Sequence, residues 1–181
     1  MRTAVLSLGV ALLCLLPAEA EDLGAAGLDE SKVAGRWYIP AVASSSPGFL
    51  QRKDELKMAM ANITVLGEGS LKISFAIPYS AGCKRSEGIY RPTGSPGQFH
   101  SAERGNKTVQ VLDTDGQSYA VILAARVKDG RTLHMLRLYS RTQEVSPRVA
   151  ELFQNLAKKK GFSSEMIRML PRQEECSLEA A

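Results

Sequence analysis

Lys107-Thr108-Val109-Gln110-Val111-Leu112, Ser118 to Val127 and Thr132 to Ser140 follow one another, separated only by Asp113-Thr114-Asp115-Gly116 and Lys128-Asp129-Gly130-Arg131. The three segments are rich in β-formers, and the two separators are turn sequences. Asp129-Gly130 is a strong hairpin signal, because a tight primed turn needs the positive φ that glycine adopts freely. Consecutive strands joined this closely are antiparallel. Alternation puts Lys107, Val109 and Val111 on one face of the first segment, with Thr108, Gln110 and Leu112 on the other. In the last segment Leu133, Met135, Arg137 and Tyr139 share a face. The middle segment is apolar on both faces, which predicts that both are covered.

The same pattern continues upstream. Trp37 to Ala43 reads as a first strand, and Leu56 to Leu66 as a second ending at Gly67-Glu68-Gly69. Leu71 to Pro78 alternates Leu71, Ile73, Phe75 and Ile77 against Lys72, Ser74 and Ala76, a half-buried strand. Gly88 to Tyr90 is a weaker strand, and Pro92 to Gly97 is a loop. Asp29 to Ala34 holds at most one helical turn. Downstream the period changes at Ser146-Pro147, an N-cap residue followed by proline at the first helical position. Val149, Leu152, Phe153, Leu156 and Ala157 then form one apolar helical face, closed by Gly161. The Lys158 to Lys160 run sits in the last turn, where cations complement the helix dipole. Ser163 to Leu170 is expected to form a second short helix. The pattern predicts an all-β fold: an eight-stranded antiparallel up-and-down β-barrel with a C-terminal α-helix packed on its outside. A barrel of eight strands is wide enough to hold one small ligand.

The chain has 181 residues, 44% of them hydrophobic and 23% charged, with a net charge of +4, as suits a folded domain and not a disordered chain. Its basic residues form no long arm or patch, so nucleic acid is not an expected partner. Arg2, the apolar stretch Ala4 to Leu16, Pro17 and Ala18-Glu19-Ala20 have the layout of a secretory signal peptide with its cleavage site. The apolar stretch is too short for a membrane anchor. The expected organisation is a signal peptide over residues 1–20 and a single domain over 21–181, secreted and extracellular. Of the three cysteines Cys14 leaves with the signal. Cys83 and Cys176 remain as an even pair in an oxidising compartment, and one disulfide is the direct reading. Closing so long a loop stabilises a fold by roughly 4–5 kcal/mol in the chain-entropy model. The two histidines, His100 and His134, show no ligand spacing to each other or to the cysteines, so no metal site is expected. Secretion also gives meaning to two glycosylation sequons, Asn62-Ile63-Thr64 and Asn106-Lys107-Thr108. Alternation from an inward Lys107 turns Asn106 outward, the better acceptor.

Gly35-Arg36-Trp37-Tyr38, Thr114-Asp115 and Leu138-Tyr139-Ser140-Arg141 resemble, in order and spacing, the three motifs of the lipocalin family. The resemblance spans the mature chain. It implies that Gly35, Trp37, Thr114, Asp115 and Arg141 are structural, with Arg141 stacked on Trp37 at the closed end of the barrel. Gly116 stands where the family usually carries an aromatic residue, which leaves the rigidity of that hairpin open. Longer runs narrow the likeness to the siderocalin-like, extracellular fatty-acid-binding lipocalins. They include Lys57-Met58-Ala59-Met60-Ala61, Arg126 to Met135 and Leu170 to Cys176. Leu138 to Gln143 is also similar to the prostaglandin D synthases of the family.

The synthase chemistry needs an interior thiolate. Alignment by eye sets Met60 at that place, with Met58, Met60 and Asn62 facing inward, and a thioether cannot substitute. A non-enzymatic binding protein is therefore expected. The siderocalin likeness implies three ligand-binding cations in the cup, which fall on Lys107, Arg126 and Arg137. Several cations in a cavity cost desolvation that only an anionic cargo offsets. The implied cargo is a ferric catecholate siderophore, a long-chain fatty acid or a lysophospholipid, held for transport or sequestration in innate defence. Iron enters only as part of a chelate, and no resident cofactor is expected. The alternatives are a general lipophile or odorant carrier and, further off, a prostaglandin D synthase-like isomerase.

Overall fold

The computed structural model describes residues 29–103, 105–174 and 176–178, so the expected signal peptide over residues 1–20, with Cys14, lies outside the described residues. Eight strands form a closed antiparallel barrel: β1 (Gly35–Ser44), β2 (Ala59–Val65), β3 (Leu71–Tyr79), β4 (Gly82–Pro92), β5 (Gln98–Ser101), β6 (Lys107–Thr114), β7 (Tyr119–Lys128) and β8 (Arg131–Ser140). Each pairs with the next in sequence, and β1 pairs with both β8 and β2 to close the ring. Closure pairs the barrel strands on both sides, except that the second half of β1 meets no β2 partner. A ninth strand, β9 (Ile167–Met169), is added on the second half of β1. Space for it arises because β2 pairs with β1 only as far as Ile39, just before Pro40. Pro40 has no N–H for a ladder, and its carbonyl instead accepts from Leu170 N–H at 2.7 Å.

Among the described residues three α-helices flank the barrel: α1 (Glu30–Val33), α2 (Pro47–Arg52) and α3 (Pro147–Lys159). Ser146 caps α3, its hydroxyl accepting from Val149 N–H at 3.3 Å, with Pro147 in the first turn. Gly161 takes a φ of +90° beyond its end, and the Phe162 N–H returns to Ala157 O. The apolar face of α3 buries Phe153 and Ala157 completely against Val121, Leu136 and Leu138 on the outside of the wall. Burying a phenylalanine in this way contributes about 1.5–3 kcal/mol.

Several expectations need correction. Ser163 to Leu170 is a 3-10 turn (Ser164–Met166) followed by β9, because β1 offers it an open ladder. The β7 strand is not covered on both faces along its length. α3 crosses only its first half, and Val127 is 56% exposed. β4 is far longer than Gly88 to Tyr90, because its outer half, Gly82 to Glu87, carries polar residues at the barrel rim. β5 (Gln98–Ser101) forms in a stretch for which no element was expected, directly after the loop that ends at Gly97. α2 was also unforeseen, although Ser46-Pro47 repeats the Ser-Pro signal of α3, and Ser46 caps it by accepting from Phe49 N–H.

The orientation of β2 is the opposite of the one drawn from the synthase likeness. Ala61 and Ile63 pair with Phe75 and Ile73 and pack in the interior, as does Ala59. Met60 packs outside the wall with Ala76 and Cys176, although Met58, just before the strand, does join the interior group. Asn62 therefore faces outward with Met60, not inward. Cys83 lies on the same outer surface, and its disulfide to Cys176 fastens the C-terminal tail there.

Candidate ligand cavity

The closed end of the barrel is built on Arg141. Its guanidinium donates to the carbonyls of Arg36 at 2.8 Å, Lys32 at 2.6 Å and Ala34 at 2.9 Å. Its carbon lies 3.7 Å from the centroid of the Trp37 ring, a close cation–π stack. The Trp37 indole donates to Val33 O at 2.8 Å, so α1 is held as a floor beneath the barrel. Gly35 has a φ of +96°, and a Cβ there would stand 3.5 Å from Arg141 Nη1. The positive φ favours glycine at that position, while the 3.5 Å separation is an ordinary contact.

The neighbouring β6–β7 hairpin is fastened by its own motif. Thr114 donates to Tyr119 O at 2.7 Å, and Asp115 accepts from the N–H groups of Gln117, Ser118 and Tyr119. The Ser118 hydroxyl donates to the other Asp115 oxygen. Partial burial opposes ionisation of Asp115, yet these donors hold its carboxyl at about 2, below an ordinary 3.8. The hairpin is thus held by hydrogen bonds without an aromatic residue at Gly116. Thr114 itself belongs to β6, so the turn is shorter than the sequence suggested.

Above this floor is a cavity of about 740 Å³, its mouth included. Val33, Trp37 and Leu71 form the bottom, while Ile63, Ile73, Val109 and Ile122 line the sides. Phe75, Tyr90 and Phe99 add aromatic surface, and among the described residues Lys107 and Arg137 are the cations in the lining. Both are half-buried. Arg137 lies over Phe75, 5.6 Å from the ring centroid, and its Nε–H points at Met135 Sδ at 3.2 Å, a weak acceptor.

Arg126 is placed differently. It is the direct cross-strand partner of Lys107, which gives it inward parity. Yet it is exposed, and its Nε lies 3.4 Å from where a Cβ on Gly105 would stand. The guanidinium thus rests against the β5–β6 loop at the rim, outside the cavity lining. The structure brings Lys107 and Arg137 together in the cavity and leaves Arg126 at its edge. Asn106 is exposed just before β6, while Asn62 is half-buried on the outside of β2.

Two residues of this site went unnoticed in the sequence. Tyr90 is buried beside the cations, and burial raises its phenol above the ordinary value. Tyr139 pushes the same way, Arg137 opposes, and Glu103 again raises it. Glu103 comes from the β5–β6 loop and turns its carboxylate over the inner face of β4. Its Oε2 lies 3.6 Å from where a Cβ on Gly88 would stand, beside the Tyr90 ring and the Ser101 hydroxyl. Tyr90 could have been anticipated by alternation with Gly88, whereas a loop glutamate carries no periodic signal.

Residues 34–174 match the model of the lipocalin / cytosolic fatty-acid binding protein family. The chain belongs to this family. It is 52% identical to the extracellular fatty acid-binding protein of Coturnix japonica, covering 99% of each chain. It is 32% identical to prostaglandin-H2 D-isomerase of Bos taurus, covering 96% of this chain and 93% of that one. Among solved structures, the siderocalin Ex-FABP, described as functioning through dual ligand specificities, superposes with a TM-score of 0.78 at 50% identity. That match covers 82% of this lipocalin and 99% of the solved chain. No helix among the described residues is long and apolar enough to cross a membrane.

Proposed function

We propose that this lipocalin is a secreted, non-enzymatic carrier of amphipathic anions, released after removal of residues 1–20, with residues 21–181 as one domain. The observation that carries the reading is the pair Lys107 and Arg137, half-buried in a cup otherwise lined by apolar and aromatic side chains. In such an apolar setting a cation attracts an anionic ligand more strongly than it would in water, so the pair favours a negatively charged cargo. A ferric catecholate siderophore offers both negative charge and aromatic rings to stack on the cations. A long-chain fatty acid or lysophospholipid would place its head on the same cations and its chain against Ile73, Ile122 and Trp37. Iron in this reading is cargo within a chelate and takes no ligand from the protein. The fatty-acid name of the Coturnix japonica relative and the dual specificities of the solved siderocalin support the same two ligand classes. Transport or sequestration in innate defence follows if such chelates are the cargo.

An isomerase of the prostaglandin type would need a thiolate inside the barrel. The inward positions of β2 are Ala59, Ala61 and Ile63, and Cys83 and Cys176 are bonded to each other on the outer surface. These observations support a binder. A general carrier of neutral lipophiles is the second reading, supported by the apolar walls.

Titration with ferric enterobactin, followed by quenching of Trp37 at the cavity floor, separates the two. Arg137→Ala is expected to weaken the chelate about ten- to a hundredfold, as for loss of a charge-assisted contact. Lys107→Ala should act in the same direction. Binding of a neutral apolar probe should barely change in either variant. Equal loss of both ligands, or of neither, would leave only the general carrier.

A further inference from the structure

Among the described residues, the exposed large apolar side chains are Tyr79 at 51% and Val127 at 56%. Both stand at the open end of the barrel. Tyr79 is the last residue of β3 before the turn to β4, and Val127 is one pair from the end of the β7–β8 ladder. In the closed ring of eight strands these two hairpins lie on opposite sides, with the cavity mouth between them. The flanking side chains are basic and exposed: Lys84 and Arg85 after Tyr79, Arg126, Lys128 and Arg131 around Val127. Asp129 is the one acidic residue in either hairpin tip, while the other two connections at this end carry Asp54, Glu55 and Glu103 beside Arg52 and Lys53. The turns at the other end carry Glu68, Asp115 and Glu144, and Arg141 there is occupied by main-chain carbonyls.

We propose that the open rim docks on anionic phospholipid bilayers, with Tyr79 and Val127 at the interface and Lys84, Arg85, Lys128 and Arg131 over the headgroups. Two apolar tips on opposite sides of a mouth can be covered together by a flat partner, whereas a peptide or a convex protein reaches one of them. Tyrosine suits the headgroup level, being apolar in body and polar at its tip. Basic residues next to an anionic surface add attraction that salt weakens. Docked this way, the barrel axis stands upright and the mouth faces the lipid. A lipophilic anion can then pass between bilayer and cavity without crossing bulk water. The proposal goes beyond the ligand reading and does not depend on it.

Co-sedimentation of the full mature protein with vesicles tests the docking directly. The protein is expected to bind phosphatidylcholine vesicles containing about one third phosphatidylserine, to ignore pure phosphatidylcholine and to detach as salt rises. Lys128→Glu combined with Arg131→Glu should weaken binding by about tenfold or more, since each reversal replaces an attraction by a repulsion. Tyr79→Ser combined with Val127→Ser should weaken it by about tenfold, through loss of apolar burial. Thermal unfolding of both double variants should match that of the native protein, which shows that they fold whatever ligand the cavity takes. Failure of the native protein to bind anionic vesicles, equal binding to neutral ones, or native-like binding by both variants would overturn the proposal. Retention on heparin without vesicle binding would also overturn it, assigning the basic rim to an acidic polysaccharide.

Discussion

Arg137 lies within β8 and Arg141 directly follows it, four residues apart, and both lie over an aromatic ring. Their surroundings differ in what they leave available. Arg141 spends its donors on three main-chain carbonyls and stacks on Trp37 at 3.7 Å. Arg137 meets a thioether and a phenylalanine ring 5.6 Å away. Carbonyls and a close ring leave the first guanidinium little to gain from a ligand. The second has soft partners and still gains from an oxygen anion. The same side chain is a rivet at the closed end and a receptor further up the barrel.

Arg141→Ala is expected to break this comparison most visibly. It removes three charge-assisted hydrogen bonds and a cation–π stack, and should lower stability by about 3 kcal/mol in denaturant titration. Arg137→Ala, measured alongside, should cost well under half of that. If the two variants lose equal stability, the division between rivet and receptor fails.

Glu103 sharpens the receptor side. Its carboxylate sits over the inner face of β4 near Tyr90, where an incoming anion would meet it. Glu103→Gln should tighten binding of a fatty-acid anion by about three- to tenfold, a gain of about 1 kcal/mol, while leaving a neutral probe unchanged. Unchanged or weaker anion binding would show that this carboxylate does not compete for the cations.

Asp115 gives the smallest effect, at the closed end. Its folded carboxyl titrates at about 2, below the ordinary 3.8, so its contribution is complete above that ordinary value. It is lost as pH falls from about 4 towards 2. With solvent screening allowed for at this largely exposed site, the loss is about 1 kcal/mol. Stability of native protein and Asp115→Asn should therefore differ at neutral pH and converge in acid. A difference that persists at low pH would place the role of Asp115 in shape and not in charge.

Legibility in the sequence followed the strength of local signals. The α3 helix was readable because a cap, a proline, an apolar face and a terminal glycine all agree. The α2 helix carries the same Ser-Pro start at Ser46-Pro47 but is too short for a periodic face. The outer half of β4 is polar on both faces because rim residues meet water, so alternation gives no strand signal there. β9 has only three residues, and its pairing depends on the second half of β1 being open to it. The family motifs were legible for the opposite reason: Trp37, Asp115 and Arg141 act through specific polar partners that few other residues can replace.

The sequence by itself determined the alternating walls, the capped helix, the pairing of Cys83 with Cys176 and the inward parity of Lys107 and Arg137. Each rests on local chemistry, on the period of a strand, or on a count. Only the tertiary structure decided that β2 turns Ala59, Ala61 and Ile63 inward and Met60 outward, because an apolar strand fits either way until its neighbours set the register. It also decided that Arg126, with the same parity as its partner Lys107, rests against Gly105 at the rim. Parity sets the direction of a Cβ, but a long side chain ends where its surroundings are most polar. The placement of Glu103 over the inner face of β4 is likewise tertiary, since a loop follows no period and its position is set by the strands it joins.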